Sequence, residues 1–200
     1  MHEHEEDILN NARGNPLSSY HLEQRHKVAE SLISQDTKKI LDVGCGEAFF
    51  LKRLSKNPNM ELYGIDISQT NLDFAKKLVP GGNFSIGDAM NLDFPDNSFD
   101  CVLFLEIIDH LPDYKKAINE AKRVLKNDGC IVMSFPDSNS PIWNTVWEIW
   151  TRTFGRQWYG KHVHELDINK FRKDLEQMGF KEIIEKRAFF GLIIIIKLKV

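Results

Sequence analysis

The sequence of 200 residues has few cysteines, no long apolar run and no surplus of positive charge. Its longest apolar run, Ala188 to Ile196, covers nine residues and predicts a buried strand, because a membrane-spanning helix needs about 18 or more. Residues 1–7 are acidic and lack a basic region followed by an apolar stretch, which predicts that there is no secretory signal peptide. The cysteines Cys45, Cys101 and Cys130 are odd in number and far apart, which argues against a disulfide framework and favours the cytoplasm.

The balance of charge disfavours one class of partner. Lys and Arg number 26 against 29 Asp and Glu, which gives a formal net charge of −3 at pH 7. Nucleic-acid binding usually needs a basic surplus that neutralises phosphates, so we expect no nucleic-acid partner and a small-molecule substrate instead. With 42% hydrophobic and 28% charged residues, and without repeats, the chain is typical of one globular domain. We expect a monomer or a homodimer.

Strands and helices are predicted to alternate along most of the chain, which is typical of a parallel sheet with helices on its faces. A helix over residues 21–34 comes first, and Ser68, Asp113 and Asp167 are expected to cap later helices. Gly129 is expected to end the helix that Asp113 begins. The last two strands would form an antiparallel hairpin at one edge of the sheet. The seven predicted strands are 39–43, 61–65, 84–86, 99–105, 130–135, 180–187 and 192–199.

Two closely spaced glycines follow the first predicted strand. Ile40 to Val43 is a buried strand, and Gly44-Cys45-Gly46 comes directly before a helix. Glycine at this point lets a ligand approach the backbone closely. A bare strand, turn and helix needs only one glycine, so the pair indicates a ligand loop, although a purely structural turn remains the alternative.

Acidic residues end or follow three successive strands. Asp42 lies in the first strand, Asp66 ends the second, and Asp88 follows the third within Gly87-Asp88-Ala89. Ligands of open α/β sheets bind in the crevice at the carboxyl ends of the strands, where an acid can accept hydrogen bonds from the hydroxyls of a ribose. The three acids therefore favour a nucleotide-like ligand at this edge over three unrelated turn aspartates.

In this order and spacing the motifs resemble the class I S-adenosylmethionine-dependent methyltransferases, specifically the type 11 group of small-molecule enzymes. The resemblance covers residues 38–200. It implies an α/β fold of three layers, with a Rossmann-like, seven-stranded, mostly parallel sheet and an antiparallel last strand. The matching segments are Asp42-Val43-Gly44-Cys45-Gly46, Asp66, Asp88-Ala89, Phe99-Asp100-Cys101-Val102, and residues 106–113 and 125–130.

The resemblance also implies a cofactor and its ligands. S-adenosylmethionine would bind and leave as S-adenosylhomocysteine, with Asp42 near its amino group, Asp66 at its ribose and Ile67 beside its adenine. The implied cofactor-binding residues are Asp42, Gly44, Cys45, Gly46, Asp66, Ile67, Asp88, Ala89 and Leu105. Ala48 stands where many members have a third glycine, and it would cost little if the helix has already begun there, because only a positive φ is penalised.

A catalytic base is optional for this chemistry, because the methyl group of a sulfonium is already activated. Alignment of the reactants can supply on the order of 7–11 kcal/mol, whereas a general base adds ~10²–10⁴-fold. His110 follows strand four and is the candidate catalytic residue, since the pKa of a histidine suits proton transfer near neutral pH. Asp109 is a weaker candidate. The alternative is that His110 caps or packs the following helix.

Residues 136–166 interrupt the alternation and contain all four tryptophans. Trp143, Trp147 and Trp150 follow helical spacing, which predicts a helix that covers the crevice as a lid or else packs on the sheet. An aromatic lid favours a flat, aromatic or lipid-like acceptor. The residues expected near the acceptor are Tyr20, His110, Trp143, Trp147, Tyr159, His162 and His164.

The resemblance also divides the chain into a cover and a domain. By the resemblance, residues 1–37 form a helical cover over the cofactor, and the methyltransferase domain occupies residues 38–200. His162 and His164 lie one residue apart, but a metal site needs at least a third ligand that cannot be placed, so no metal is expected.

Three other functions are compatible with parts of the pattern. A nicotinamide-dependent oxidoreductase would place a third glycine at position 49, which is Phe49, and would carry a Tyr-x-x-x-Lys pair that is lacking. Methylation of exocyclic nitrogens usually requires an Asn/Asp-Pro-Pro-Tyr type segment after strand four, where this chain has residues 105–108, Leu-Glu-Ile-Ile. Other methylation of nucleic acid or protein, and a binding module without catalysis, stay open as alternatives.

Overall fold

The computed structural model describes residues 16–153, 166–180 and 182–199. Helices and strands alternate through most of this part of the chain, as the sequence predicts. The helices are α1 (Pro16–Glu30), α2 (Phe49–Leu54), α3 (Gln69–Leu78), α4 (Tyr114–Val124), α5 (Pro141–Thr153) and α6 (Ile168–Gln177), with a short 3₁₀ helix at Ile108–His110. The strands are β1 (Lys39–Val43), β2 (Glu61–Asp66), β3 (Asn83–Ile86), β4 (Phe99–Leu105), β5 (Leu125–Pro136), β6 (Glu182–Ala188) and β7 (Ile193–Lys199).

All seven strands form one sheet in the order β3-β2-β1-β4-β5-β7-β6. The neighbouring pairs from β3 to β5 are parallel, whereas β7 runs antiparallel to both β5 and β6. The last strand is therefore inserted between β5 and β6, which confirms the predicted sheet. This topology brings the carboxyl ends of β1, β2, β4 and β5 and the turn between β6 and β7 to the same edge, called here the carboxyl edge.

Two separate apolar cores, one on each face of the sheet, give the domain its three layers. One core contains buried residues of α4 and α6, and the other contains buried residues of α1, α2 and α3. Helix α4 shows why its sequence forms this layer: Ala117, Ala121 and Val124 lie on one side of the helix and are fully buried. Burial of a side chain such as Val124 typically contributes about 1.5–3 kcal/mol, so packing on the sheet stabilises α4.

Local capping signals predicted most helix boundaries correctly. The side chains of Ser68, Asp113 and Asp167 each accept hydrogen bonds from backbone N–H groups in the first turn of their helices. Gly179 has a φ of 74° just after α6, the left-handed conformation that commonly ends a helix. The first helix differs from its prediction, because α1 starts at Pro16 and ends at Glu30.

The expectation that Gly129 ends α4 is wrong. The helix ends at Val124, and β5 begins directly at Leu125, which pairs with Phe99 across an irregularity in the β4–β5 ladder. The φ of Gly129 lies outside the left-handed region, and a Cβ at this position would come 2.9 Å from both Leu125 Cδ2 and Lys126 O. Glycine is needed there because the strand is crowded, and a sequence pattern does not distinguish crowding from a helix end.

Candidate functional site

The glycine loop after β1 folds back onto the end of β2. The backbone N–H groups of Gly44 and Cys45 both donate to the carbonyl of Ile65, at 2.8 and 2.9 Å. Left-handed φ values of 70° at Gly44, 53° at Gly46 and 62° at Ala48 alternate along the loop. These hydrogen bonds and turns fix the loop at the carboxyl edge.

The two glycines have different surroundings. A Cβ on Gly44 would collide with the side chain of Ile107, whereas a Cβ on Gly46 would meet no atom within 4 Å. Gly44 therefore lies at a crowded position, where a side chain would push the end of Ile107 aside. The open space beside Gly46 leaves its backbone accessible to a ligand.

Ala48 corrects one expectation from the sequence. It is the N-cap residue of α2 and has φ 62° and ψ 33°, so the helix has not begun at this position. A residue with a Cβ in this conformation costs roughly 1–2 kcal/mol. Ala48 is completely buried in the core that contains Phe50 and Leu51, and this burial offsets the strain.

Asp66 connects the end of β2 to the glycine loop. Its Oδ2 accepts from the backbone N–H of Gly46 at 2.9 Å, and its Oδ1 accepts from the backbone N–H of Ser68 at the same distance. Asn71 Nδ2 adds a longer contact of 3.4 Å to Oδ1. Two carboxylate oxygens offer about four acceptor positions, so the half-buried Asp66 can still accept from a ligand.

Asp42 is a buried acid in β1, next to the loop. Its side chain is 3% exposed, and burial raises its pKa to about 8, with the negative charge of Asp66 acting in the same direction and the positive charge of Arg25 acting against it. A carboxyl group in this state gains from a cation that enters its surroundings. The site therefore favours a positively charged ligand group near Asp42.

Glu106 is a site residue that the sequence analysis did not single out. It follows β4 directly with a φ of 62°, and its Oε1 accepts from Ser134 Oγ at 3.1 Å. Its Oε2 lies 3.6 Å from a guanidinium nitrogen of Arg25 in α1. Strained backbone of this kind is concentrated at functional sites, and here it turns a second carboxylate toward the carboxyl edge.

The signals for these missed residues are unequal. Glu106 lies inside the segment that carries the family resemblance, so its position could have been found. Arg25 is one of several charged residues in α1, and nothing local distinguishes it. Only the fold brings its guanidinium to Glu106 and into the electrostatic field of Asp42.

The remaining predicted cofactor residues lie along the same edge. Ile67 follows Asp66 and is 85% exposed. Asp88 follows β3, where its Oδ1 accepts from the backbone N–H of Met90 at 2.8 Å, and Ala89 is buried beside it. Leu105 is the last residue of β4 and is half-buried. The carboxyl edge thus brings together the predicted residues of β1, β2, β3 and β4.

His110 ends the 3₁₀ helix that follows β4. Its side chain is 37% exposed, and its Nε2 lies 3.9 Å from Oδ2 of the buried Asp109. The imidazole is therefore accessible and has a carboxylate beside it. This arrangement is compatible with proton transfer by His110. It is equally compatible with the alternative from the sequence, in which His110 caps or packs the following helix.

The predicted acceptor residues are only partly described. Tyr20 in α1 is 45% exposed, and Trp143 in α5 is half-buried and packs on the same core as the partly buried Leu105 and Cys45. Trp147 lies in α5, but its side chain lies outside the described part of the structure. Tyr159, His162 and His164 fall in residues 154–165, which also lie outside it.

The described ranges hold neither a cluster of metal ligands nor a membrane-spanning helix. No group of three or more His, Cys, Asp or Glu side chains converges there in a way that could hold a metal ion. None of the described helices combines the length and the apolar character needed to cross a membrane.

Comparison with known proteins gives consistent matches. A family model described as a methyltransferase domain matches residues 41–133. Demethylmenaquinone methyltransferase from Staphylococcus haemolyticus is 32% identical over 193 residues, which cover 84% of this chain and 80% of that protein. The 2-methyl-6-phytyl-1,4-hydroquinone methyltransferase from Synechocystis sp. is 32% identical over 152 residues, which cover 72% of this chain and 46% of that protein.

A solved structure shares the fold. The crystal structure of a SAM-dependent methyltransferase from Thermotoga maritima superposes with a TM-score of 0.73 at 18% identity. The match covers 99% of this chain and 94% of the other. At this level of identity the similarity concerns the architecture.

Proposed function

Because this chain belongs to the class I S-adenosylmethionine-dependent methyltransferases, we propose that it methylates a hydroquinone ring that carries an apolar side chain. Methyl transfer is the activity of the family. The names of two relatives support the choice of acceptor, since one acts on demethylmenaquinone and the other on a phytyl-substituted hydroquinone. The observation that carries the proposal is the combination, at the carboxyl edge, of an open glycine loop and buried acids.

The charges at the carboxyl edge fit S-adenosylmethionine. Its ammonium and sulfonium groups are positive, and a nearby cation would offset the cost of burying the carboxyl group of Asp42, while Glu106 adds a second carboxylate at the same edge. The Nε of Arg25 is buried and has no hydrogen-bond partner among the described residues, so the carboxylate of the methionine part could satisfy it. Opposite charges of the protein thus match both ends of an amino acid.

The rest of the cofactor would lie along the loop and the strand ends. The open backbone at Gly46 gives room for the methionine part, and Asp66 retains acceptor positions for the ribose hydroxyls. Ile67 offers an exposed apolar surface for the adenine. The residues we assign to the cofactor are Asp42, Gly44, Cys45, Gly46, Asp66, Ile67, Asp88, Ala89 and Leu105. When bound, S-adenosylmethionine supplies a methyl group that is already activated on its sulfonium.

The protein itself has two tasks in this proposal: to align the acceptor and to remove a proton from it. A hydroquinone becomes a better nucleophile when a hydroxyl group loses its proton, and we assign this step to His110. Its Nε2 faces Asp109 at 3.9 Å, so the carboxylate can stabilise the imidazolium while Nδ1 accepts the proton. General-base catalysis of this type contributes about 10²–10⁴-fold.

Two helices would enclose the acceptor. Helix α1 packs against β5, β6 and β7, and it carries Tyr20 and Arg25 at the carboxyl edge, which supports a covering role for the N-terminal segment. Trp143 begins an aromatic surface on α5. Trp147, Tyr159, His162 and His164 are proposed to extend this surface, and residues 136–166 to act as a lid.

Calorimetric titration tests the donor, and a methyl-transfer assay tests the acceptor. S-adenosylmethionine and S-adenosylhomocysteine should bind with micromolar dissociation constants, and NAD should not bind. Reduced naphthoquinones and benzoquinones with and without a prenyl-type side chain should then accept a methyl group. Cofactor binding without transfer to any of these rings would contradict the hydroquinone assignment, and no binding would contradict the proposed cofactor site.

A further inference from the structure

The turn between β6 and β7 holds two aromatic residues in a conformation that aromatic residues rarely adopt. Phe189 has a φ of 47° and Phe190 a φ of 57°, and the N–H of Gly191 donates to the carbonyl of Ala188 at 3.1 Å. Positive φ at both central positions is typical of a type I′ turn, which Asn-Gly usually fills. The sequence Phe-Phe therefore strains this turn.

Burial offsets the strain at only one of the two positions. Phe189 is buried, and the ring of His21 packs edge-on against it with the centroids 4.9 Å apart. Phe190 remains 80% exposed. Packing against the described residues therefore does not account for an aromatic side chain at position 190.

The strained turn is held rigidly at the carboxyl edge. Next to the turn, Ile193 pairs with Pro136 at the end of β5, and the N–H of Asp137 donates to the carbonyl of Leu192 at 2.9 Å. Arg187 links the two sides, since its Nη1 lies 2.6 Å from Asp137 Oδ2 and 2.8 Å from the carbonyl oxygen of Gly191. The exposed ring is thus presented at a fixed place on the carboxyl edge.

A continuous set of rings joins Phe190 to the interior of the site. The centroid of Phe190 lies 6.1 Å from that of the half-exposed Tyr20 and 5.4 Å from that of Phe189, on which the ring of His21 packs. His21 lies one turn before Arg25 in α1, and the guanidinium of Arg25 lies 3.6 Å from Glu106 at the end of β4. Tyr20 and Phe190 form the outer part of this surface, which we call the rim.

We propose that the rim, Tyr20 with Phe190, binds the hydrocarbon side chain of the methyl acceptor as it leaves the active site. This inference rests on the proposed hydroquinone substrate and adds a contact that decides between tailed and untailed acceptors. A stable protein dimer buries about 1,200–2,000 Å² in total, which is far more than two aromatic rings can cover. The rim therefore suits a single extended hydrocarbon chain better than a second protein. Arg187 is paired with Asp137, so this residue offers no free cation for an anionic lipid surface.

The substitution Phe190→Gly tests the rim, because glycine suits the left-handed position while it removes the ring. The thermal midpoint should stay equal or rise. For a reduced naphthoquinone with a geranyl side chain, KM should rise about three- to tenfold, in line with the energy of one aromatic contact. For the same ring without a side chain KM should not change, and neither should the dissociation constant of S-adenosylhomocysteine. Phe190→Tyr, which keeps an aromatic ring, should have the wild-type KM for the tailed acceptor.

Ile183→Ser is the matched control, since Ile183 is an exposed apolar residue near the opposite end of β6. It should alter neither KM. Equal effects of Phe190→Gly on both acceptors, or no effect on either, would overturn the rim proposal. The rim proposal would also be overturned if Phe190→Gly kept the preference for the tailed acceptor but bound phosphatidylcholine vesicles less well. The same holds if this variant kept the preference but self-associated less in sedimentation.

Failure of the proposed function gives a different result. If the wild-type protein methylates neither ring, the affinity for both hydroquinones is measured directly by calorimetry in the presence of S-adenosylhomocysteine. A preference for the tailed compound that Phe190→Gly removes supports the rim without the hydroquinone reaction. Equal affinities for the two compounds overturn it.

Discussion

Ile107 lies so close to Gly44 that a Cβ built on the glycine would fall 2.2 Å from its Cδ1. The segment after β4 therefore forms one wall of the glycine loop. Gly46, two residues further on, has open space at the equivalent point. Gly44 thus lies against the protein itself, whereas Gly46 lies beside space that a ligand can occupy.

Substitution by alanine should distinguish these two positions. Both changes introduce a Cβ at positive φ, which costs roughly 1–2 kcal/mol, and Gly44→Ala adds the collision with Ile107. We expect Gly44→Ala to lower the free energy of unfolding more than Gly46→Ala, as measured by urea denaturation. Gly46→Ala should instead lower the affinity for S-adenosylmethionine in calorimetry. Ile107→Ala combined with Gly44→Ala should recover part of the lost stability, and an additive double variant would contradict the contact.

Asp42 should make the stability of the protein depend on pH. Burial raises the pKa of Asp42 to about 8 in the folded state, whereas an unfolded aspartate titrates near about 3.9. Between these values the folded protein holds a proton that the unfolded chain loses, so stability falls as pH rises. Asp42→Asn removes this loss. Relative to the wild type, the variant should gain up to about 1.4 kcal/mol per pH unit between roughly pH 5 and pH 8. A gain that is independent of pH would contradict the raised pKa.

Binding of the cofactor should release a proton from the same group. A cation near Asp42 favours its ionised form and lowers its pKa, so at pH 7 the wild type should release a larger fraction of a proton than Asp42→Asn. Calorimetry in buffers with different ionisation enthalpies measures this fraction. The ionisation of the ligand amino group is common to both proteins and cancels in the difference. Equal proton release would place the cation elsewhere.

Asp66→Ala should weaken the binding of S-adenosylmethionine tenfold or more. The carboxylate is proposed to accept one or two hydrogen bonds from the ribose, worth roughly 1.5–3 kcal/mol each, and it also holds the N–H of Gly46 in place. Asp66→Asn, which keeps an acceptor oxygen, should lose less. Asp73→Ala is a suitable control, because Asp73 is an exposed residue of α3 that accepts from Gln69 in the same helix. Wild-type affinity in Asp66→Ala would refute the ribose assignment.

The parts of the site that could be predicted from sequence are those set by local chemistry. A strand that runs into glycines identifies the loop, and capping residues such as Ser68 identify helix starts from a few neighbouring positions. The left-handed conformation of Ala48 was not predicted, because it depends on the core that holds the residue. Arg25 and Glu106 meet only after the whole sheet has formed, and their contact joins residues 81 positions apart. Long-range contacts of this kind leave no local pattern.

The turn at Phe189 and Phe190 also could not be predicted from its local sequence. Its sequence lacks the Asn-Gly signal of a type I′ turn, yet the predicted hairpin formed in the expected place. The pairing of β7 with both β5 and β6 imposes the turn on residues that locally disfavour it. Tertiary packing here overrides the local preference of the two phenylalanines.

His110 is proposed to accept the proton that the acceptor loses. His110→Gln should lower kcat about 10²-fold or more for a hydroquinone acceptor, because the general base is removed. The dissociation constant of S-adenosylmethionine should stay unchanged, since His110 lies outside the proposed cofactor contacts. Added imidazole should restore part of the turnover in this variant, a rescue that a merely structural role would not show.

A variant of Asp109 tests whether the carboxylate beside His110 assists the proposed base. Asp109→Asn leaves the imidazole in place but removes the carboxylate that lies 3.9 Å from Nε2. It should lower kcat less than His110→Gln does, and imidazole should give little rescue, because the base is still present. A wild-type kcat in His110→Gln would show that alignment alone drives the reaction. The histidine would then be a packing residue of the short helix after β4, which is the alternative that the sequence left open.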